Sequence, residues 1–274
     1  AERGTKAVLV LDEIQKVAQW SQTVKRLWDE DSWNDAPLLV ILSGSSSLLI
    51  GSGLSESLAG RYELLRSTHW SLSEMSEAFG YNLSDYLEFG GYPGAAILKS
   101  DEDRWREYMR DSIVESTISR DVLQMENVRK PALMRALFEL GAQYSAQELS
   151  YRKILGQLDG KGNTDTIKHY LDLLSGAGMI SGLQKFDDKP IKAKASSPRL
   201  MVHDPALMTS MWHGKGSLLE DPDLYGHLVE TAVGAYLIAR SAIDGFDLYW
   251  WRDGDLEVDF VLRRARDITA IEVK

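Results

Sequence analysis

Two short apolar runs near the start of the chain constrain its fold more than any other feature. The first, AVLVL, covers residues 7–11, and the second, PLLVIL, covers residues 37–42. Uninterrupted apolar runs of this length are typical of parallel strands that are covered on both faces. Between them, apolar residues recur at helical spacing, namely Ile14, Val17, Trp20, Val24 and Leu27. This strand–helix–strand order predicts an α/β unit.

Polar residues follow both predicted strands. Asp12 and Glu13 follow the first strand, and Ser45 lies in the SGSSS segment that follows the second. Ligands of α/β sheets bind at the carboxyl ends of the strands, so we expect a site here. A buried strand that ends in Asp-Glu is typical of a Walker B motif, in which Asp holds Mg²⁺ and Glu polarises the attacking water. The alternative is that the pair only starts a helix, where acidic side chains suit the helix dipole.

The middle of the chain has predominantly helical patterns. Residues 71–126 are predicted to be helical apart from a break at FGGYPG, residues 89–94. Residues 131–186 predict two helices, a third that ends at glycines, and then a strand. A series of helices followed by a strand hairpin is the element order of a winged helix-turn-helix. The segment 183–199 carries five basic and two acidic residues, which suits contact with DNA phosphates.

Composition excludes several classes of protein. The net charge of −10 excludes a surface that attracts nucleic acid as a whole. Residues 131–274 carry only −3 of that charge (17 basic and 20 acidic residues), so we expect any contact with DNA there. The absence of cysteine excludes disulfides, thiolate metal sites and a cysteine nucleophile, and it fits the cytoplasm. No apolar run reaches the ~18 residues of a membrane span, so we expect no membrane partner.

A second acidic pattern occurs near the end of the chain. In DLEVDFVL, residues 255–262, Asp259 shares one face of a predicted strand with Glu257, by simple alternation. A turn at Ala265-Arg266 would place Asp259 opposite Glu272 on the next strand, with the β-carbons about 5 Å apart. Two carboxylates so close repel each other unless a cation lies between them.

Glu230 and Lys274 complete this pattern. Glu230 lies on a small and apolar face of a predicted helix at 224–240, where a carboxylate needs a partner or a metal. A helix Glu, a strand Asp and then Glu272-x-Lys274 is the order of the PD-(D/E)XK nuclease core. Asp259, Glu272 and Glu230 would then ligate Mg²⁺ or Mn²⁺, and Lys274 would activate water or steady phosphate charge. The alternative is a surface hairpin with solvated charges.

Four segments of the chain together match one known family: VLVLDEIQKV, LLVILSGSSSLLI, LSESLAGRYELL and YLEFGGYPG. In these segments the chain resembles the AAA+-type ATPases that carry a nuclease-like C-terminal domain of unknown function. This resemblance implies ATP and Mg²⁺ as cofactors, with Asp12 as the magnesium residue and Glu13 as the catalytic base. It also implies that Ser45 is a sensor and that Arg61 is a candidate for stabilising phosphate charge.

One motif of that family does not occur in these residues. The P-loop, G-x-x-x-x-G-K-S/T, cradles the phosphates. Gly160-Lys161 has Leu155 where the first glycine should be, and Gly214-Lys215 has Thr209. We therefore expect these 274 residues alone not to hydrolyse ATP. Predicted core strands near both ends further predict that the chain is a fragment.

The sequence as a whole predicts an α/β multidomain protein. Its expected function is that of a nucleotide-dependent, DNA-associated ATPase with a metal-dependent or vestigial nuclease-like domain. The alternative is a non-enzymatic regulator or scaffold that binds DNA or protein. DNA and a second copy of the chain are the candidate partners. The expected domains are the distal part of an AAA+-like P-loop NTPase core at 1–70, a helical extension at 71–130, a winged helix at 131–195 and a truncated restriction-endonuclease-like α/β domain at 196–274.

Overall fold

The computed structural model describes seven parts of the chain, and these form two compact units. The described residues are 7–33, 38–44, 58–123, 128–158, 162–187, 196–213 and 219–274. The first unit is Ala1–Leu65 and the second is Arg66–Lys274. None of the helices in the described ranges is long and apolar enough to cross a lipid bilayer.

The first unit contains the predicted strand–helix–strand order. Strand β1, Ala7–Leu11, pairs in parallel with β2, Leu38–Leu42, from Ala7 opposite Leu38 to Leu11 opposite Leu42. A 3₁₀ turn at Ile14–Lys16 and helix α1, Trp20–Trp33, connect them. The buried core consists of Ile14, Trp20 and Leu58. A parallel pair needs such a crossover connection, which confirms the α/β interpretation of this segment.

The strands are less buried than the sequence predicts. Val8 is 59% exposed and Leu39 is 60% exposed, although both lie in apolar runs that predict coverage on both faces. That prediction is wrong for the described residues. Burial of a parallel strand depends on layers packed against both faces of the sheet, and the described part of this unit supplies two strands and one α-helix.

Helices dominate the first part of the second unit, as predicted. Helices α2, Leu72–Phe79, and α3, Leu83–Phe89, each begin with a capping box, in which Ser71 pairs with Glu74 and Asn82 with Asp85. Two short helices and two π-helical stretches follow in the order α4, Pro93–Ala96; α5, Glu102–Glu107; then Tyr108–Glu115 and Thr117–Val122.

The FGGYPG segment, which the sequence predicts as a break between helices, packs closely against Asp204 and Trp70. Gly90 has a φ of +67°, and a β-carbon there would lie 2.0 Å from Oδ1 of Asp204. The backbone N–H of Gly91 donates to Oδ2 of Asp204 at 2.8 Å. A β-carbon on Gly91 would lie 2.0 Å from the carbonyl oxygen of Trp70. Glycine is therefore required at both positions, because the backbone approaches its neighbours too closely for any side chain.

Three helices and a strand pair follow. They are α6, Pro131–Gln143; α7, Tyr151–Gln157; α8, Thr164–Gly176; and the antiparallel strands β3, Ile180–Leu183, and β4, Arg199–Val202. This matches the predicted element order, while the winged-helix assignment itself stays a prediction. The β3–β4 pair joins strands on either side of the expected boundary at 195/196, within one compact unit.

The last part of the chain packs a long helix on a three-stranded sheet. After the short helix α9, Pro205–Thr209, the long helix α10 spans Pro222–Asp244. Strands β5, Asp247–Asp253, β6, Leu256–Arg264, and β7, Asp267–Ile271, form an antiparallel sheet in that order. Arg264 lies opposite Asp267, so the predicted turn at Ala265-Arg266 is confirmed. A β-carbon on Gly234 of α10 would lie 2.6 Å from Met201 and 3.0 Å from Phe260, so the helix packs closely on both β4 and β6.

Candidate nucleotide site and carboxylate cluster

Asp12 lies directly after β1, where the sequence predicts a magnesium residue. Its Oδ1 accepts a hydrogen bond from the hydroxyl of Ser43 at 2.5 Å and from the backbone N–H of Glu13 at 3.0 Å. Ser43 follows β2, so the parallel pairing of the strands brings the two residues together. The Ser43 hydroxyl, followed by the Glu13 N–H, lowers the pKa of Asp12 from its usual value. Asp12 is thus a solvent-exposed, ionised carboxylate at the carboxyl ends of both strands.

Glu13 has a backbone conformation that is uncommon for its residue type. Its φ of 54° and ψ of 40° place it in the left-handed region, which costs a non-glycine residue on the order of 1 kcal/mol. Its carboxylate accepts from Nε2 of Gln15 at 2.8 Å and lies 3.3 Å from Nζ of Lys16. The acidic pair therefore forms a sharp strand-to-helix turn, and both carboxylates keep contact with solvent.

Of the two other residues assigned to the nucleotide site, the structure describes Arg61 but not Ser45. Ser45 lies outside the described residues, and Ser43 is the residue whose hydroxyl contacts Asp12. Arg61 lies 3.4 Å from Asp29 and over the ring of Trp28, with 5.3 Å between its guanidinium carbon and the ring centroid. The structure thus places Arg61 against α1, and its role toward phosphate stays a prediction.

Asp259 has both carboxylate oxygens bonded to the protein itself. Oδ1 accepts from Nη1 of Arg199 at 3.2 Å, and Oδ2 accepts from the backbone N–H of Val273 at 2.8 Å. The pairing of β6 with β7 runs from Arg264 opposite Asp267 to Phe260 opposite Ile271. It ends one residue before Asp259 and Glu272, so their predicted pairing across the two strands stays a prediction.

Arg199 is the cation of this region, and sequence reasoning missed it. Its side chain is 5% exposed, and its Nη2 donates to Oε1 of Glu257 while Nη1 reaches Asp259. The guanidinium also lies over the ring of Trp250, 5.4 Å from the centroid. Glu257 has a second cation near it, with Nε of Arg252 at 3.8 Å. The signal for burial was the apolar run Leu-Met-Val that follows Arg199 in the sequence.

Glu230 lies on α10, where the charges of Asp259, Glu272 and Arg199 affect its pKa. Burial, and then the charges of Asp259 and Glu272, raise its pKa to about 7, against the opposing effect of Arg199. Burial also lowers the pKa of His227, one turn earlier on the same helix. We call Glu230, Glu257, Asp259 and Glu272 the carboxylate cluster.

The carboxylate cluster does not fit a divalent cation in this arrangement. Both oxygens of Asp259 already accept hydrogen bonds from the protein, and the positive charge of the Arg199 guanidinium beside them would repel a divalent cation. Among the residues that the structure describes, no three His, Asp or Glu side chains are grouped so that they could hold a metal. Glu272 and Lys274 are exposed residues beyond the end of β7. The metal-binding and catalytic roles of these residues stay predictions.

The segment expected to contact DNA is only partly described. Lys189, Lys192 and Lys194 lie outside the described residues. Lys185 lies over the ring of Trp250, with 5.9 Å from Nζ to the centroid. Arg199, counted among the five basic residues of this segment, is buried in the carboxylate cluster, so it does not face phosphate.

Comparison with known proteins divides the chain into three family regions. Residues 1–76 match a family model described as an AAA domain, and residues 225–274 match a domain of unknown function, DUF4143. Residues 80–218, half of the chain, match a domain of unknown function, DUF8612. The chain therefore belongs to the DUF8612 family, with an AAA-like segment at its N-terminus.

The curated relatives that match this chain are described as uncharacterized proteins. One from Methanocaldococcus jannaschii is 27% identical over 93% of this chain and 58% of its own length. One from Haemophilus influenzae is 23% identical over 98% of this chain and 66% of its own length. One from Mycobacterium tuberculosis is 27% identical over 99% of this chain and 59% of its own length. The chain thus spans about three fifths to two thirds of the length of these relatives.

Proposed function

We propose that this member of the DUF8612 family acts in an AAA-type ATPase, in which Asp12 and Glu13 are the two acidic residues of the nucleotide site. The observation that carries the proposal is the position of Asp12. It lies in the region that matches an AAA domain, at the carboxyl end of a parallel strand, with its carboxylate fixed by Ser43 of the neighbouring strand. Anionic oxygen at such a position suits Mg²⁺.

In this proposal Asp12, Ser43 and Glu13 have different roles. Bound Mg²⁺–ATP supplies the phosphoryl group, and Asp12 would hold the metal directly or through water. Ser43 and the Glu13 N–H keep Asp12 ionised and fix its orientation. Glu13 would orient the attacking water and accept its proton. Its hydrogen bond with Gln15 is partly buried, whereas its ion pair with Lys16 involves an exposed lysine, so in this proposal Glu13 would exchange the Lys16 contact for water first.

Contact with DNA is the second part of the proposal. Its support is the element order α6, α7, α8 and the β3–β4 hairpin, together with the lysines between the two strands. Binding through those lysines would weaken as salt rises, because phosphate contacts release counterions. Fluorescence anisotropy with a labelled duplex at increasing salt tests this part. Absence of binding at low salt would leave the helices and hairpin as a protein-contact module.

A non-enzymatic regulator or scaffold is the second candidate function. The observation in its favour is the ion pairing of the carboxylate cluster with Arg199, which occupies groups that a nuclease would need for its metal. In this alternative the C-terminal sheet mediates contacts between proteins, while the AAA-like segment does not turn over ATP.

The experiment that separates the two candidates uses the full-length product of the gene that encodes this chain. ATP hydrolysis is measured for the wild type, Glu13→Gln and Asp12→Asn, with Glu63→Gln as a control at an exposed site in the same unit. We expect Glu13→Gln to bind ATP but to lose hydrolysis by about 100-fold or more. Asp12→Asn should also weaken the dependence on Mg²⁺. A full-length protein that binds no ATP, or a Glu13→Gln variant with the wild-type rate, would overturn the proposal.

A further inference from the structure

Arg199 places a positive charge beside the carboxylates of Glu257 and Asp259. A bound metal ion is the other common way to balance two neighbouring carboxylates. Glu257 and Asp259 lie two residues apart on β6, beside a shift in its register with β5. Arg199 comes from β4, in a different sheet, and reaches both carboxylates with separate nitrogens of one guanidinium. The side chain is almost completely buried and lies on Trp250.

We propose that Arg199 is a built-in cation that takes the place of a divalent metal in the carboxylate cluster. On this view the cluster is a structural connection rather than a metal-dependent nuclease site. The proposal is independent of ATP binding by the N-terminal unit, because it concerns groups of the second unit alone.

The geometry favours arginine over a metal for a chemical reason. A guanidinium is planar and always charged, and its nitrogens form a fork that bonds two acceptors at once. Nη1 and Nη2 of Arg199 are used in this way on Asp259 and Glu257. The remaining oxygen of Asp259 accepts from the backbone N–H of Val273, so both oxygens of this carboxylate already have a protein donor.

The same contacts define what the cluster does instead. Arg199 lies within the region that matches DUF8612, whereas Glu257 and Asp259 lie within the region that matches DUF4143. Backbone hydrogen bonds reinforce the connection, since the N–H of Phe186 donates to the carbonyl of Trp250 at 2.7 Å. The indole N–H of Trp250 donates to the carbonyl of Leu183 at 3.1 Å. The ion pairs of the buried Arg199 therefore join the β3–β4 hairpin to the C-terminal sheet.

Metal rescue of an arginine variant tests this proposal on the 274-residue chain. Arg199→Gln removes the charge but keeps a hydrogen-bond donor. The melting temperature and Mn²⁺ binding, followed by electron paramagnetic resonance, are measured for wild type, Arg199→Gln, Asp259→Asn and the double variant Arg199→Gln/Asp259→Asn. Glu139→Gln, at an exposed position on α6, is the control for loss of a carboxylate.

The expected result is a metal response only where the arginine charge is gone. Mn²⁺ at millimolar concentration should raise the melting temperature of Arg199→Gln by about 4 °C or more, through binding to the folded state alone. The double variant should lose that response. Wild type, Asp259→Asn and Glu139→Gln should show the same Mn²⁺ binding curve.

Three results would overturn the proposal. A wild-type Mn²⁺ site that Asp259→Asn weakens tenfold or more would show that the cluster holds a metal with Arg199 present. A folded Arg199→Gln that does not respond to Mn²⁺ would show that metal and arginine are not interchangeable here. An Arg199→Gln chain that stays unfolded with and without Mn²⁺ would also show that a metal cannot replace the arginine.

Discussion

Asp12 and Asp259 are both strand carboxylates that the sequence predicts as metal ligands, yet the structure gives them opposite surroundings. Asp12 is exposed to solvent, and a hydroxyl and a backbone N–H donate hydrogen bonds to it. Asp259 is 8% exposed, and a buried arginine lies against it. The spacing of acidic residues along a strand thus predicts where carboxylates lie, but not which cation neutralises them.

The difference has a consequence for function. An exposed, ionised carboxylate can take up a metal together with a nucleotide, because water is the ligand that it exchanges. A carboxylate bonded to a buried guanidinium must first give up a charged partner, and breaking such a pair is strongly unfavourable. The surroundings of Asp12 are thus compatible with the proposed nucleotide site, and those of Asp259 with the proposed connection between two parts of the fold.

The largest expected effect comes from breaking the buried pairs. Arg199→Met should lower the free energy of unfolding by about 3 kcal/mol, because it leaves Asp259 buried without its cation. Lys16→Met, which removes the exposed partner of Glu13, should change it by less than about 0.5 kcal/mol. Urea unfolding of both variants measures this difference. Similar changes in the free energy of unfolding for Arg199→Met and Lys16→Met would contradict the difference between the buried and the exposed ion pair.

A third carboxylate, Asp204, extends the comparison to a buried acid without an arginine. Complete burial raises its pKa to about 7, although the N–H groups of Ala206 and Gly91 act in the opposite direction. The folded chain then holds a proton on Asp204 that the unfolded chain releases near pH 4. The stability that this proton contributes is fully present below that pH and is lost as the pH rises toward 7.

Asp204→Asn should remove this dependence on pH. Relative to wild type, the variant should gain stability between pH 4 and pH 8, by at most a few kcal/mol at about 1.4 kcal/mol for each pKa unit. Thermal or urea unfolding across that range measures the difference, with Asp221→Asn, at the exposed start of α10, as the control. A difference that is constant with pH would show that Asp204 is ionised throughout.

The smallest expected effect concerns Ser43. Ser43→Ala removes the largest cause of the lowered pKa of Asp12, so that pKa should rise toward its usual value. The fold should be unaffected, because both groups are exposed. Titration of the Asp12 carboxyl carbon by NMR measures the shift, with Ser21→Ala on α1 as the control. An unchanged Asp12 would mean that the hydroxyl does not fix it in solution.

Local pattern predicted much of this fold. The parallel strands, the helix between them, and the turn at Ala265-Arg266 all followed from apolar runs and alternation. These features depend on residues close together in the sequence, or on a register that a short turn fixes. The pairing of β6 with β7 up to Phe260 and Ile271 is therefore predictable from the sequence.

Long-range partners were not predictable in the same way. Arg199 is 60 residues from Asp259, and Asp204 is 113 residues from Gly91. Nothing in the local pattern of either segment specifies the other. The burial of β1 was also overestimated, because burial depends on the layers that cover a strand, whereas the pattern only shows that a strand tolerates burial.

The most direct test of the claim that Arg199 takes the place of a metal is a structure from crystals grown in MnCl₂. Anomalous scattering from manganese would show whether the metal enters the carboxylate cluster. We expect no anomalous peak among Glu230, Asp259 and Glu272, and an Arg199 guanidinium still bonded to Asp259 and Glu257. A strong peak within about 2.5 Å of Asp259, with Arg199 displaced, would contradict it.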